Sequence, residues 1–163
     1  MQRLLLAATM GLFLVLAVGG VWADPLDDGF AAYIRGDYAD AVESFQLAAA
    51  QGEVAAQFNL GQMYRKGLGV TQDLVEAVRW YRLAAVQGHA AGQYNLGLMY
   101  REGLGVTQDH VRAYMWLDLS STGGHPDGTK WRDMVAAKMT PQQIEEAQKM
   151  ARECQLRKVE ACD

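Results

Sequence analysis

The heptapeptide GLGVTQD occurs twice, at Gly67 to Asp73 and at Gly103 to Asp109. The likeness runs well beyond it, since residues 57–92 laid over 93–128 give 21 identities in 36 positions. No other feature constrains the fold as tightly. A unit this short cannot enclose a core by itself, so it must bury its apolar surface against copies of itself, and the chain is expected to be a stacked array.

Each unit has an internal division. Ala56, Leu60 and Tyr64 recur every four residues, and Ala77, Trp80, Tyr81, Ala84 and Ala85 recur at i, i+3, i+4, i+7 and i+8. Both spacings mark an apolar stripe along a helix. The heptapeptide lies between the stripes, so the unit is a helical hairpin. Gly67 follows the last periodic residue of the first helix, where a left-handed backbone suits glycine, and Gly69 turns the chain again while Leu68 and Val70 tuck back onto the hairpin. Asp73 is placed to N-cap the second helix, with Glu76 completing a capping box. The copy keeps Asp109 but has Arg112 where the glutamate would stand. Gly61 and Gly97 lie inside helices, at a cost of about 1 kcal/mol relative to alanine. Close approach of a neighbouring helix would offset that, with the Ala84-Ala85 pair or its equivalents as the expected contact. The short link Gln87-Gly88-His89 makes the next hairpin, from about Ala90, stack beside the last.

The pattern continues outward with lower fidelity. Ala41, Ala48, Ala49 and Gly52 lie 36 residues before Ala77, Ala84, Ala85 and Gly88. Downstream, Thr129 to Met139 reads as a helix, and Thr140-Pro141-Gln142-Gln143 supplies an N-cap, a first-turn proline and a capping-box glutamine for a helix from Pro141 to about Arg157. The expected fold is an all-α solenoid of stacked helical hairpins. Its units span about 27–52, 54–88 and 90–124, followed by capping helices over 127–158, in one domain from residue 24 to 163.

The first 23 residues are set apart from that domain. Arg3 precedes an apolar run, Leu4 to Val21, with no ionisable side chain, and Val21-Trp22-Ala23 offers small residues where a signal peptidase cuts. The run is also close to the lower limit for spanning a bilayer, so an uncleaved N-terminal anchor is the competing reading. Cleavage would leave 14 basic against 19 acidic residues, a balance unsuited to nucleic acid or to anionic membranes. Export would place the only cysteines, Cys154 and Cys162, in an oxidising compartment. In one continuous helix they would sit about 12 Å apart, beyond the reach of a disulfide. A bridge therefore requires the last helix to end between them, which is the expectation, with free thiols on the tail as the alternative.

Residues 56–100 carry an A-x-x-x-L-G-x-x-Y helix, a G-x-G-V turn followed by Asp, and A-x-x-W-Y-x-x-A-A-x-x-G. Together they resemble the Sel-one-like repeat family, relatives of tetratricopeptide repeats, and the likeness covers about residues 27–157. The resemblance implies an α-solenoid whose first helices line a concave face and which serves as an adaptor for proteins or peptides; the proposed signal segment adds the expectation that it works in the cell envelope, periplasmic or secreted. Some cysteine-rich secreted members are associated with β-lactam binding or β-lactamase activity and carry a cysteine pair in each repeat. Here the single pair lies in the tail, which weakens that reading.

No catalytic constellation stands out. His89 and His125 are repeat equivalents, but stacked units would hold their rings too far apart for one metal ion, and His110 stands alone. Ser44, Ser120 and Ser121 lack a nucleophile elbow or an S-x-x-K pair. No cofactor is indicated, and the expectation is a non-enzymatic binding module, with self-association through the end faces as a further alternative. With Leu60, Gly61 and Tyr64 inward, the other flank of the first helix presents Phe58, Asn59, Gln62 and Arg65, and its copy presents Tyr94, Asn95, Leu98 and Arg101. Repetition would set these side chains in ladders suited to an extended peptide, the asparagines bonding its backbone and the arginines its carboxylates.

Overall fold

A computed structural model describes residues 24–157 and Cys162. The proposed signal segment, residues 1–23, lies outside the described residues. Among the described residues eight helices follow one another: α1 (Pro25–Arg35), α2 (Tyr38–Ala50), α3 (Val54–Lys66), α4 (Leu74–Val86), α5 (Ala90–Glu102), α6 (His110–Thr122), α7 (Gly128–Ala136) and α8 (Pro141–Arg157). They pair as the hairpins α1–α2, α3–α4 and α5–α6, each packed on the next, while α7 and α8 both lie against α6 and close the stack. None of these helices is long and apolar enough to cross a membrane.

The apolar stripes make two continuous cores. Phe45, Leu60 and Met63 fill the first, and Tyr81, Leu96, Met115, Trp116 and Leu117 the second, all shielded from solvent. The intrahelical glycines do meet a neighbouring helix, but not the alanine pair. A Cβ on Gly61 would lie 2.5 Å from the Tyr81 ring, and one on Gly97 2.8 Å from Leu117. Tyr81 and Leu117 are repeat equivalents, so each glycine is the seat of a large side chain from its own hairpin partner. The alanine pair instead receives the next hairpin, because a Cβ on Gly92 would come 3.1 Å from that of Ala84.

The glycine turns also set the stacking. Gly67 and Gly103 cap α3 and α5 at φ 69°, as the sequence suggests. Gly69 and Gly105 have φ of 71° and 69°, and each lies directly on the backbone that opens the second helix of the preceding repeat. A Cβ at Gly69 would lie 2.8 Å from the Ala39 amide nitrogen, and at Gly105 2.9 Å from that of Val75. The turn of one repeat is thus a docking element for the repeat before it.

The caps follow the sequence with one exception. The Asp73 carboxylate accepts from the backbone N–H groups of Val75 and Glu76. Glu76 does not return the bond; the Asp73 N–H donates to Tyr64 O of the preceding helix at 3.0 Å, and Glu76 turns to Arg79. In the copy, Arg112 lies 2.6 Å from Asp109 as an ion pair, so the missing glutamate is replaced by a cation facing the cap. Burial raises the Asp109 carboxyl pKa, but the hydrogen bonds and charge of Arg112 outweigh this and bring it below the usual range. The Thr140–Gln143 box is reciprocal, with bonds of 2.9 and 3.3 Å. Helix α8 ends at Arg157, and Cys154 and Cys162 are bridged with their Cα atoms 4.7 Å apart.

Candidate partner-binding face

Stacking places α3 beside α5 as the first helices of adjacent repeats, but the matching residues of the two do not play matching parts. Asn59 donates its side-chain amide to Ala55 O of its own helix at 2.8 Å. Asn95 instead hydrogen-bonds the Tyr81 hydroxyl, which also accepts from Arg65 Nε at 3.2 Å. Burial raises the Tyr81 pKa, while the bonds from Arg65 and Asn95 oppose the rise. At neutral pH the phenol therefore stays protonated and joins α3, α4 and α5. Arg101 has no such tyrosine, because its hairpin partner carries Leu117. Its guanidinium lies 4.2 Å over the Trp131 ring of α7 and 2.8 Å from Glu102.

These contacts gather Arg65, Asn95, Leu98 and Arg101 around one recess of about 210 Å³, with Met99, Leu104 and Trp131 supplying apolar wall. The sequence places all four residues on the exposed flank, and the structure brings them together. It leaves Phe58, Asn59, Gln62 and Tyr94 outside that recess. Phe58 rests between Tyr81 and His89, and Tyr94 stacks on His125 at 4.1 Å between ring centroids. The ladder is therefore partly internal packing at the repeat junctions. The parts played by Tyr81 and Trp131 were not legible in the sequence, because periodicity assigns Tyr81 to core and gives no sign that α7 reaches α5.

His89 and His125 serve the junctions. His89 N-caps α5, its Nδ1 accepting from the Gly92 N–H at 3.1 Å, and His125 Nδ1 accepts from the Asp127 N–H at 3.3 Å. Burial lowers the His89 pKa from its ordinary value. An imidazolium has no lone pair at Nδ1, so protonation would remove the cap. The unfolded chain takes up that proton first, so the His89 contribution is complete above about pH 6.5 and is lost as the pH falls through the lower folded value. Replacing His89 with Asn keeps a cap acceptor but removes the titration. Denaturant midpoints should therefore fall less between about pH 7 and pH 5 in His89→Asn than in the wild type. Parallel pH profiles would assign the loss to other groups.

A stack of helical hairpins with a recess shared between adjacent first helices defines a helical-repeat scaffold. The chain belongs to the Sel1 repeat family, whose model matches residues 27–53, 54–89 and 90–125. Such repeats are generally scaffolds for protein–protein interaction and typically non-catalytic. No curated protein gives a significant match. Among solved structures, the chain is similar to c5321, a protective antigen of uropathogenic Escherichia coli strains with an SLR fold. That likeness has 36% identity and a TM-score of 0.78 over 85% of this chain and 30% of that one. It is also similar to a Sel1 repeat protein from Oxalobacter formigenes, with 32% identity and a TM-score of 0.61 over 67% of this chain and 85% of that one. The chain thus spans under a third of the length of the antigen.

Proposed function

We propose that this protein is an exported, non-enzymatic adaptor of the cell envelope, periplasmic or secreted, that captures a protein or peptide partner on the face formed by α3 and α5. The observation that carries this reading is the convergence of Arg65, Asn95, Leu98 and Arg101 on one recess. Two guanidinium groups, an amide and an apolar wall offer an extended chain both charge-assisted hydrogen bonds and a place for a side chain. Arg65 is held at Nε by Tyr81, which leaves its outer nitrogens directed away from that bond. Arg101 is flattened on Trp131. Both are therefore ordered in advance, which lowers the entropy lost on binding. The Cys154–Cys162 bridge suits an oxidising compartment, and the apolar segment after Arg3 suits export.

A photo-crosslinking amino acid at Leu98, expressed in the native cells, should give a discrete adduct. Replacing Asn59, Arg65, Asn95 and Arg101 together with alanine should remove the adduct and weaken affinity for the recovered partner by about tenfold or more, the scale of arginine hot spots. The circular dichroism spectrum should stay helical. An undiminished adduct in a helical variant would refute the assignment of this face.

A further inference from the structure

Three glycines fix how the first helices are turned. Gly29, Gly61 and Gly97 each lie under a large side chain of their own hairpin partner, since a Cβ there would come 2.5 Å from Phe45, 2.5 Å from Tyr81 and 2.8 Å from Leu117. Those three side chains are spaced 36 residues apart, so α1, α3 and α5 turn the same face to their partners. Positions counted from each glycine therefore correspond. One and five residues beyond Gly97 stand Leu98 and Glu102, which both line the α3–α5 recess. The same two places hold Gln62 and Lys66 on α3, and Phe30 and Ile34 on α1.

The row changes character along the stack. On α1 both members are apolar and open, Phe30 at 37% and Ile34 at 83% exposure. Four residues apart on one helix, they adjoin. Phe30 is fixed edge-on against Phe45, 5.2 Å between ring centroids, and the charge next to Ile34 is neutralised because Arg35 pairs with Asp37 at 2.9 Å. On α3 and α5 the surroundings are cationic, with Arg65, Lys66 and Arg101 against Glu102. Neither Arg65 nor Lys66 forms an ion pair among the described residues. A lone exposed apolar side chain would be ordinary, but this pair continues a binding recess across the packing of α1 on α3. We propose that Phe30 and Ile34 form a second subsite for the partner of the α3–α5 recess, and that this partner is an extended segment with an acidic residue at Arg65 and Arg101 and an aliphatic or aromatic residue over α1. The inference rests on the reading of that recess as a peptide seat. First helices about 10 Å apart and an extended chain advancing about 3.3 Å per residue put the two recognised residues about six positions apart.

The probe is the acetylated, amidated peptide Glu-Ser-Thr-Ser-Thr-Ser-Leu, made also in reverse order and titrated into the isotopically labelled, disulfide-bonded protein. One of the two orders should give saturable shifts in the backbone amides of both Ile34 and Leu98. Replacing its leucine with serine should weaken binding at least fivefold, and so should Ile34→Gln in the protein. Ile34 is open enough for that variant to fold, and Phe30→Gln, which installs the residue that α3 carries at the same place, is the second route. Arg101→Gln should weaken the leucine and serine peptides alike. Equal binding of those two peptides, both still dependent on Arg101, would overturn the α1 subsite and leave the α3–α5 reading standing. Binding that needs the leucine and Ile34 but not Arg101 would remove the carboxylate reading of the recess and with it the two-point partner. No saturable shift with either order would overturn the inference, as would concentration-dependent shifts at Ile34 without peptide, which would mean that a second copy covers this face.

Discussion

Replacing Gly105 with alanine is expected to lower the stability of the protein by about 3 kcal/mol, far more than one methyl group on a surface turn normally costs. Two penalties act together. The backbone at Gly105 has φ of 69°, a left-handed conformation that costs a non-glycine residue about 1 kcal/mol. The new Cβ would also fall against the backbone joining Leu74 to Val75, 2.9 Å from the Val75 nitrogen, where no side chain can swing aside. Relief requires the turn to lift off α4 and so to loosen the seam between the second and third repeats. Gly88→Ala is the control, because Gly88 has φ of 86° with nothing within 4 Å of its Cβ position. It should lose only the conformational term, about 1 kcal/mol. Thermal melts should separate the two variants by about 5 °C or more. Equal losses would mean that the turn does not dock as described.

Removing the disulfide is expected to have the next largest effect. Cys154 and Cys162 close a short loop, with a sequence separation of 8, and in the chain-entropy account a loop of that size contributes about 2 to 3 kcal/mol. Cys162 is 1% exposed, so the bridge also seats a buried side chain in the core that holds Ala147 and Ala151 of α8. A double Cys154→Ala, Cys162→Ala variant should melt about 5 to 10 °C below the oxidised protein. Amide exchange should rise first in the last turns of α8 and hardly at all in α3 or α4. Wild-type melting unchanged by reductant would contradict this.

The repeat period, the helix pairs and most of the caps were legible in the sequence, because each depends on residues within a few positions of one another. Asp73 and Asp109 cap because an aspartate stands just before an apolar stripe, and Gly67 and Gly103 end helices because only glycine adopts that backbone without cost. The closing helices were legible as well, though α7 begins at Gly128 and ends at Ala136 rather than running from Thr129 to Met139.

Of the eight residues expected to form a peptide ladder, four share the α3–α5 recess. The other four do not, for a physical reason. Sequence repetition gives Asn59 and Asn95, or Arg65 and Arg101, the same place on a helix, but their neighbours differ. Tyr81 offers a hydroxyl to Arg65 and Asn95, while its equivalent Leu117 offers none, and Arg101 finds Trp131 instead.

The sequence alone determined that the chain forms helical hairpins of one design and that they stack, because periodicity and turn chemistry act locally and the unit is too small to stand alone. Tertiary structure decided which of the repeated side chains face inward, which meet each other and which leave a recess open. That choice depends on volume and hydrogen-bonding partners contributed by helices far apart in the chain, and neither can be read from the spacing of residues along it.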